Sequence, residues 1–274
     1  MSKKIYETIT NKIIEKLEEG TVPWRNPFEN GIAVNWVTQK PYRGMNVFLL
    51  EGGEYATYKQ IKDNGGTVKK GEKGQAIIFW KMMNGEDSES GEEKKFPLMR
   101  TYIVFKVGEQ TKGIEPKREP FVHGKSSLEK AEEILKNYKD APEYTSQSGR
   151  AFYRPDADFI NVPPKKDFSD INKYYSTLFH EMIHSTGHKK RLDRPGIAEF
   201  NGFGTEQYSK EELIAELGAS MLSGIAQIDN SIIDHSASYI QSWLNALKND
   251  HSLIIKASQM AQKASDHILG ETFE

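Results

Sequence analysis

One pentapeptide, His180-Glu181-Met182-Ile183-His184, carries the residue types of hydrolytic metal chemistry. The apolar residues around it recur at helical spacing, and in a helix residues i and i+4 stack on one face. His180 and His184 can therefore present two imidazole nitrogens to one ion. Glu181 leans toward the same pocket without joining the ligands. Two neutral nitrogens beside a carboxylate suit Zn²⁺, with the glutamate as base for the metal's water. This HExxH pattern points to a zinc hydrolase of the metallopeptidase type.

Two histidines leave a catalytic zinc one protein ligand short. The chain has no cysteine, so the third ligand is His, Asp or Glu; downstream stand His188, Glu199, Glu206, Glu211, Glu212 and Glu216. His188 is eight residues past His180, about 12 Å along a continued helix, too far for the same ion, although it can line the cleft. Glu212 and Glu216 are four apart in one helical pattern. Ser209-x-x-Glu212 also fits a capping box, in which Glu212 merely bonds the serine amide. Glu216 lies among Leu213, Leu217, Ala219 and Leu222, and an inward carboxylate needs a metal or a donor. The run Glu212-x-x-Ala215-Glu216 resembles the glutamate-zincin helix. That resemblance implies Glu212 as third ligand and Glu216 as the acid orienting a ligand histidine, the reverse order being the rival. An oxyanion donor could come from Tyr174, Tyr175, His188 or Tyr208, and spacing does not choose among them.

The elements that must hold this site read as follows. An amphipathic helix spans about 5–19, with Ile9, Ile13, Ile14 and Leu17 on one side. A second helix covers 57–64. Strands are expected over 76–81 and 100–107, with the acidic, Ser/Gly-rich 85–95 as a mobile hairpin loop. A helix over 128–139 precedes a hairpin, 150–153 with 158–162, which supplies an edge strand for holding an extended peptide by β-augmentation. Beyond it the pattern is helical, over 170–186, 210–226, 235–248 and 252–269. The fold class is α+β: a small mixed N-terminal domain (1–115), a linker (116–126), and a mainly helical domain with a small sheet (127–274).

The net charge of −2 hides an asymmetry: residues 1–125 hold 21 Lys+Arg against 17 Asp+Glu, and the remainder 16 against 22. Such halves suit modules with different partners. The N-terminus lacks a signal-peptide core and no run reaches membrane-spanning length, so a cytoplasmic protein without membrane contact is expected. In the first half Trp24, Trp36, Tyr42, Tyr55, Tyr58, Phe79 and Trp80 are interleaved with Arg25, Lys40, Arg43, Lys69, Lys70 and Lys73. Cations that follow phosphates beside rings that stack on bases are what single-stranded nucleic acid requires.

Longer motifs narrow the reading. Pro23-Trp24-Arg25, Asn35-Trp36, Pro41-Tyr42-Arg43-Gly44-Met45-Asn46-Val47 and the Gly65–Gly74 run resemble the N-terminal domain of ArdC-type antirestriction proteins of mobile elements. The stretches 174–188, 211–217 and 239–244 resemble the zincin-like peptidase domain paired with it. The likeness implies a single-stranded-DNA-binding module, with Trp24, Arg25, Trp36, Tyr42, Arg43, Asn46, Lys69, Lys70 and Lys73 as its contacts. It also implies a zinc-binding module acting on a polypeptide substrate, and protection of incoming DNA from restriction. The competing expectation is a non-catalytic DNA-masking protein whose zinc is structural; an intact Glu181 favours the enzyme.

Overall fold

The computed structural model describes residues 2–25, 31–86, 93–119, 126–198, 206–231 and 237–271. Its first half comprises α1 (Ser2–Glu18), β1 (Val34–Asn35), α2 (Asn46–Leu49), β2 (Glu54–Thr57), α3 (Tyr58–Asp63), β3 (Thr67–Val68), β4 (Gln75–Glu86), β5 (Glu93–Lys106) and β6 (Thr111–Lys112). The second half comprises α4 (Ser126–Asn137), β7 (Glu143–Thr145), β8 (Phe152–Arg154), β9 (Phe159–Asn161), α5 (Ile171–Thr186), α6 (Pro195–Ala198), α7 (Glu206–Ala226), α8 (Ala237–Asn249) and α9 (Leu253–Leu269). This is the α+β architecture expected. No helix among the described residues is long and apolar enough to cross a membrane.

The larger N-terminal sheet runs β1-β2-β5-β4, with β1 parallel to β2 and the other pairs antiparallel. Its exposed end is closed by one side chain. The Asn46 amide donates to the Ile78 carbonyl and accepts from the Ile78 amide, both at 2.8 Å, so it pairs with β4 as a neighbouring strand would. The β4–β5 hairpin is longer than its apolar pattern, with register continuing to Glu86↔Glu93. The polar flanks expected to be loop are therefore partly strand, because cross-strand backbone pairing does not need apolar side chains. The expected mobile tip, 87–92, lies outside the described residues.

Residues 116–119 are not a free tether. The buried Glu54 carboxylate accepts from the amides of Lys117 (2.6 Å) and Arg118 (2.7 Å) and from the Gln39 side chain (2.7 Å). Those donors compensate a charge that would otherwise be costly to bury. The remainder of the expected linker, 120–125, lies outside the described residues.

One apolar core runs through both halves. Ile9, Ile13, Ile14 and Leu17 of α1, together with Trp24, Met45, Val47 and Ile78, pack into the same cluster as Phe179, Leu217, Trp243 and Ile254. At its centre α5 and α7 cross closely: a Cβ on Gly218 would lie 2.6 Å from Ile183 Cδ1. Only glycine permits that approach, and it brings α7 within side-chain reach of the α5 histidines. The small sheet runs β7-β9-β8. The expected hairpin is present, but β9 is central because β7, unmarked in the sequence, pairs parallel to it. The open edge next to the site is therefore β8.

A candidate metal centre

Asp170 caps α5, its carboxylate accepting from the Asn172 amide at 2.7 Å. Three turns later the helix presents His180 and His184 with their Nε2 atoms 3.0 Å apart. Glu212 enters from α7, with Oε2 3.6 Å from His180 Nε2 and Oε1 3.4 Å from His184 Nε2. Ligand atoms about 2.1 Å from a tetrahedral ion lie about 3.4 Å from one another. The separations observed are of that order, those to Glu212 through its two different oxygens, and each residue offers one ligand atom within 4.8 Å of the others. The helix α7 begins at Glu206, so Ser209 is not a cap; its hydroxyl lies 3.3 Å from that of Ser242. The capping-box reading of Glu212 falls with it.

Behind each imidazole stands a second carboxylate. Glu216 Oε1 is 3.6 Å from His180 Nδ1, and Glu211 Oε1 is 3.3 Å from His184 Nδ1. Consecutive residues on a helix point about 100° apart, so Glu211 and Glu212 straddle the His184 ring, one at each nitrogen. Arg194 grips Glu211 through Nε (3.0 Å) and Nη2 (2.5 Å), and also donates to Thr186 Oγ1 (2.6 Å) and the Ile183 carbonyl (2.8 Å). Burial alone would raise the Glu211 carboxyl, but Arg194 and His184 hold it below the usual carboxylate range. Glu212 is likewise held low against its burial by the two histidines. Burial pulls His184 down, yet hydrogen bonds to Glu211 and Glu212 outweigh it and push the ring up to about 10.

Glu181 lines a cleft of about 600 Å³ that is also bordered by β8, Ile197, Tyr208, the two histidines and Glu212. Its carboxyl is buried, and desolvation raises it above the ordinary value despite the neighbouring histidines. A carboxylate so shifted is a better proton acceptor and donor near neutrality than a solvated one.

Of the residues considered for oxyanion support, Tyr208 lines this cleft and the others do not. The Tyr175 hydroxyl donates to Glu132 at 2.5 Å, while the Tyr174 ring packs edge-on against Phe168 and Tyr175. His188 is buried near Asp158, 3.9 Å away, in the cluster where Arg191 and Tyr153 hold that aspartate. It lines no part of the cleft, because the chain turns away at Gly187. Tyr153, on β8, borders the cleft but escaped notice because nothing local distinguishes it. Arg194 and the role of Glu211 were missed for the same reason: their partners are brought together only by packing.

The residues proposed to touch nucleic acid are mostly structural. Trp24 has no exposed surface and meets Trp243 edge-on at 5.1 Å. Trp36 is buried, donating to the Glu115 carbonyl, with Lys117 4.2 Å above its ring. Neither ring has a face for a base. Tyr42 packs edge-on to Tyr55, Arg43 pairs with Asp266 of α9, Asn46 holds β4, and Lys69 donates to the carbonyls of Gly108 and Glu109. Arg25 turns inward toward Glu216. Lys70 and Lys73 remain exposed. Exposed rings stand instead on the β4–β5 hairpin: Phe79 is 43%, Trp80 41% and Tyr102 41% exposed. Phe79 and Tyr102 contact each other at 6.0 Å, and the exposed Arg100 pairs across from Phe79.

Fold and site together define a zincin-like protein in which two histidines and a carboxylate are grouped as a divalent metal could use them, joined to a sheet-bearing N-terminal module. Residues 3–105 match the family described as the N-terminal domain of anti-restriction factor ArdC, and residues 129–260 match the zincin-like metallopeptidase family. The crystal structure of the antirestriction ArdC protein from plasmid R388, metal-free, superposes with a TM-score of 0.75 at 35% identity, over 98% of this chain and 99% of that one. Its Mn(II)-bound form gives 0.76 at 34%, over 97% of each. The chain belongs to the ArdC family of antirestriction proteins. Among curated relatives, an uncharacterized protein of Sinorhizobium fredii, y4eC, is 32% identical over 96% of this chain and 90% of its own. Two DNA primases TraC of Escherichia coli are each 34% identical over 97% and 98% of this chain. The chain spans only 20% and 27% of their lengths.

Proposed function

We propose that this protein is a zinc-dependent peptidase carried on a single-stranded-DNA-binding module, and that it acts in antirestriction as its family does. The observation that carries the enzymatic reading is the convergence of His180, His184 and Glu212 at the floor of a cleft whose wall is the open edge of β8. In this reading Glu212 is the third ligand, and Glu216 orients His180 as Glu211 orients His184. A divalent ion bound there supplies Lewis acidity toward a water and a peptide carbonyl. The backbone of β8 aligns an extended polypeptide by strand addition. Glu181 accepts a proton from the attacking water and returns it to the leaving nitrogen. Glu181 is a carboxylate that lines the cleft beside the two histidines without being one of the grouped ligands, and a purely structural metal site needs no such base, which supports the enzyme over the masking protein. Tyr208 is the side chain on hand to steady the oxyanion. For the DNA module, the exposed Phe79–Tyr102 pair beside Arg100 offers what stacking requires, with Lys70 and Lys73 as cations for the phosphates.

The test is metal analysis of wild type beside Glu212→Ala, Glu216→Ala and Glu181→Gln, with hydrolysis of an unstructured protein such as casein. Zinc is expected in wild type and Glu181→Gln, is lost in Glu212→Ala, and is retained more weakly in Glu216→Ala. Hydrolysis is expected in wild type and not in Glu181→Gln. Equal turnover in those two proteins would refute the mechanism.

A further inference from the structure

Each histidine of the metal centre has a carboxylate at its Nδ1, and each of those carboxylates has an arginine. For His184 the chain of contacts is Glu211 and then Arg194, all within the zincin-like module. For His180 it is Glu216 and then Arg25, whose Nη2 lies 3.7 Å from Glu216 Oε2. Arg25 belongs to the other module, within the stretch matched by the ArdC N-terminal family. Its side chain is only 9% exposed.

The placement of Arg25 is built, not incidental. After α1 the chain reverses at Gly20, whose φ of +80° is open to glycine at little cost. Trp24 then inserts against Trp243. Its carbonyl accepts from the Ser220 hydroxyl and, at 3.3 Å, from the Asn230 amide, which fixes the segment on α7. Arg25 therefore enters a polar recess of about 230 Å³ whose wall also holds His180, Glu212 and Glu216. Carboxylates that orient metal-binding histidines commonly contribute 10–100-fold in metal affinity. A compensating cation helps a half-buried carboxylate keep its charge and aim.

We propose that Arg25 is a positioning residue of the metal centre, so that the N-terminal module completes the site and the zincin-like module alone holds its ion weakly. The inference rests on the metal-site reading given above. Because linkage is reciprocal, ion binding also tightens the docking of Val22–Arg25 onto α7.

The experiment measures Zn²⁺ affinity of the full chain by competition with a chromophoric chelator, for wild type, Arg25→Met, Arg25→Lys and Arg43→Met. Arg43 also joins the modules, through Asp266, but lines neither the recess beside His180 nor the cleft. Arg25→Met is expected to weaken zinc about tenfold or more, Arg25→Lys to recover most of that loss, and Arg43→Met to match wild type. In wild type, amide exchange at Val22, Trp24 and Arg25 is expected to slow on zinc addition, a readout that needs no variant to fold. Unchanged affinity in Arg25→Met, equal weakening in both methionine variants, or exchange indifferent to zinc would each overturn the proposal. A wild type that binds no zinc is a different result, and it removes the metal site itself.

Discussion

Arg194 is the residue whose removal tests most about how this centre is supported. Its guanidinium makes two contacts to Glu211 and one each to Thr186 and the Ile183 carbonyl, all buried. In Arg194→Met the Glu211 carboxylate keeps only His184 as a charged partner, in a side chain 3% exposed. Breaking a buried pair from one side costs about 3–5 kcal/mol. In chains approaching this size, 1 kcal/mol moves Tm by about 2–4 °C, so Tm falls by about 6–20 °C. Calorimetry in excess chelator is the proper assay, since bound metal would mask the loss by mass action. The double variant Arg194→Met/Glu211→Met removes both charges at similar volume, and most of the stability returns. Metal affinity instead falls about 10–100-fold in the double variant, because His184 then lacks its Nδ1 partner. A single variant melting within about 2 °C of wild type, or a double variant no more stable than the single, would show that the carboxylate is not held as described.

Three further outcomes are expected. Replacing Phe79 and Tyr102 together by alanine weakens a single-stranded oligonucleotide by about 1–3 kcal/mol per lost stack, read by fluorescence anisotropy; unchanged binding locates the DNA surface elsewhere. The chelator-treated protein loses stability as pH rises. His184 is raised from 6.5 to about 10, so the stability from its charged form is complete below 6.5 and disappears as pH climbs through about 10. Metal competes with that proton, so its affinity rises over the same interval. Melting and metal titration at several pH values check both slopes, and two slopes of the same sign contradict the assignment. Gly218→Ala drives a methyl against Ile183, costing about 1–3 kcal/mol of stability and loosening the metal by spreading α5 from α7. A thermal melt and a zinc titration equal to wild type would show that the crossing tolerates a side chain.

What could be read without coordinates was what depends on near neighbours in the chain. The pentapeptide His180–His184 fixes its own geometry, because a helix sets the i to i+4 spacing whatever packs around it. Helix periods were legible for the same reason, within a few residues at their ends, and so was the four-residue step from Glu212 to Glu216. Aromatic residues were the opposite case. Trp24 and Phe79 look alike as rings near cations, and only tertiary packing decided that one fills the core against Trp243 while the other faces solvent. Strand order also lay beyond the pattern: β7 made β9 central and left β8 as the edge on the cleft. The arginines show the limit most clearly. Arg194 reaches Glu211 across 17 residues, and Arg25 reaches Glu216 across 191. An ion pair has no sequence period, so which cation meets which carboxylate is settled by the crossing of helices and the insertion of a tryptophan.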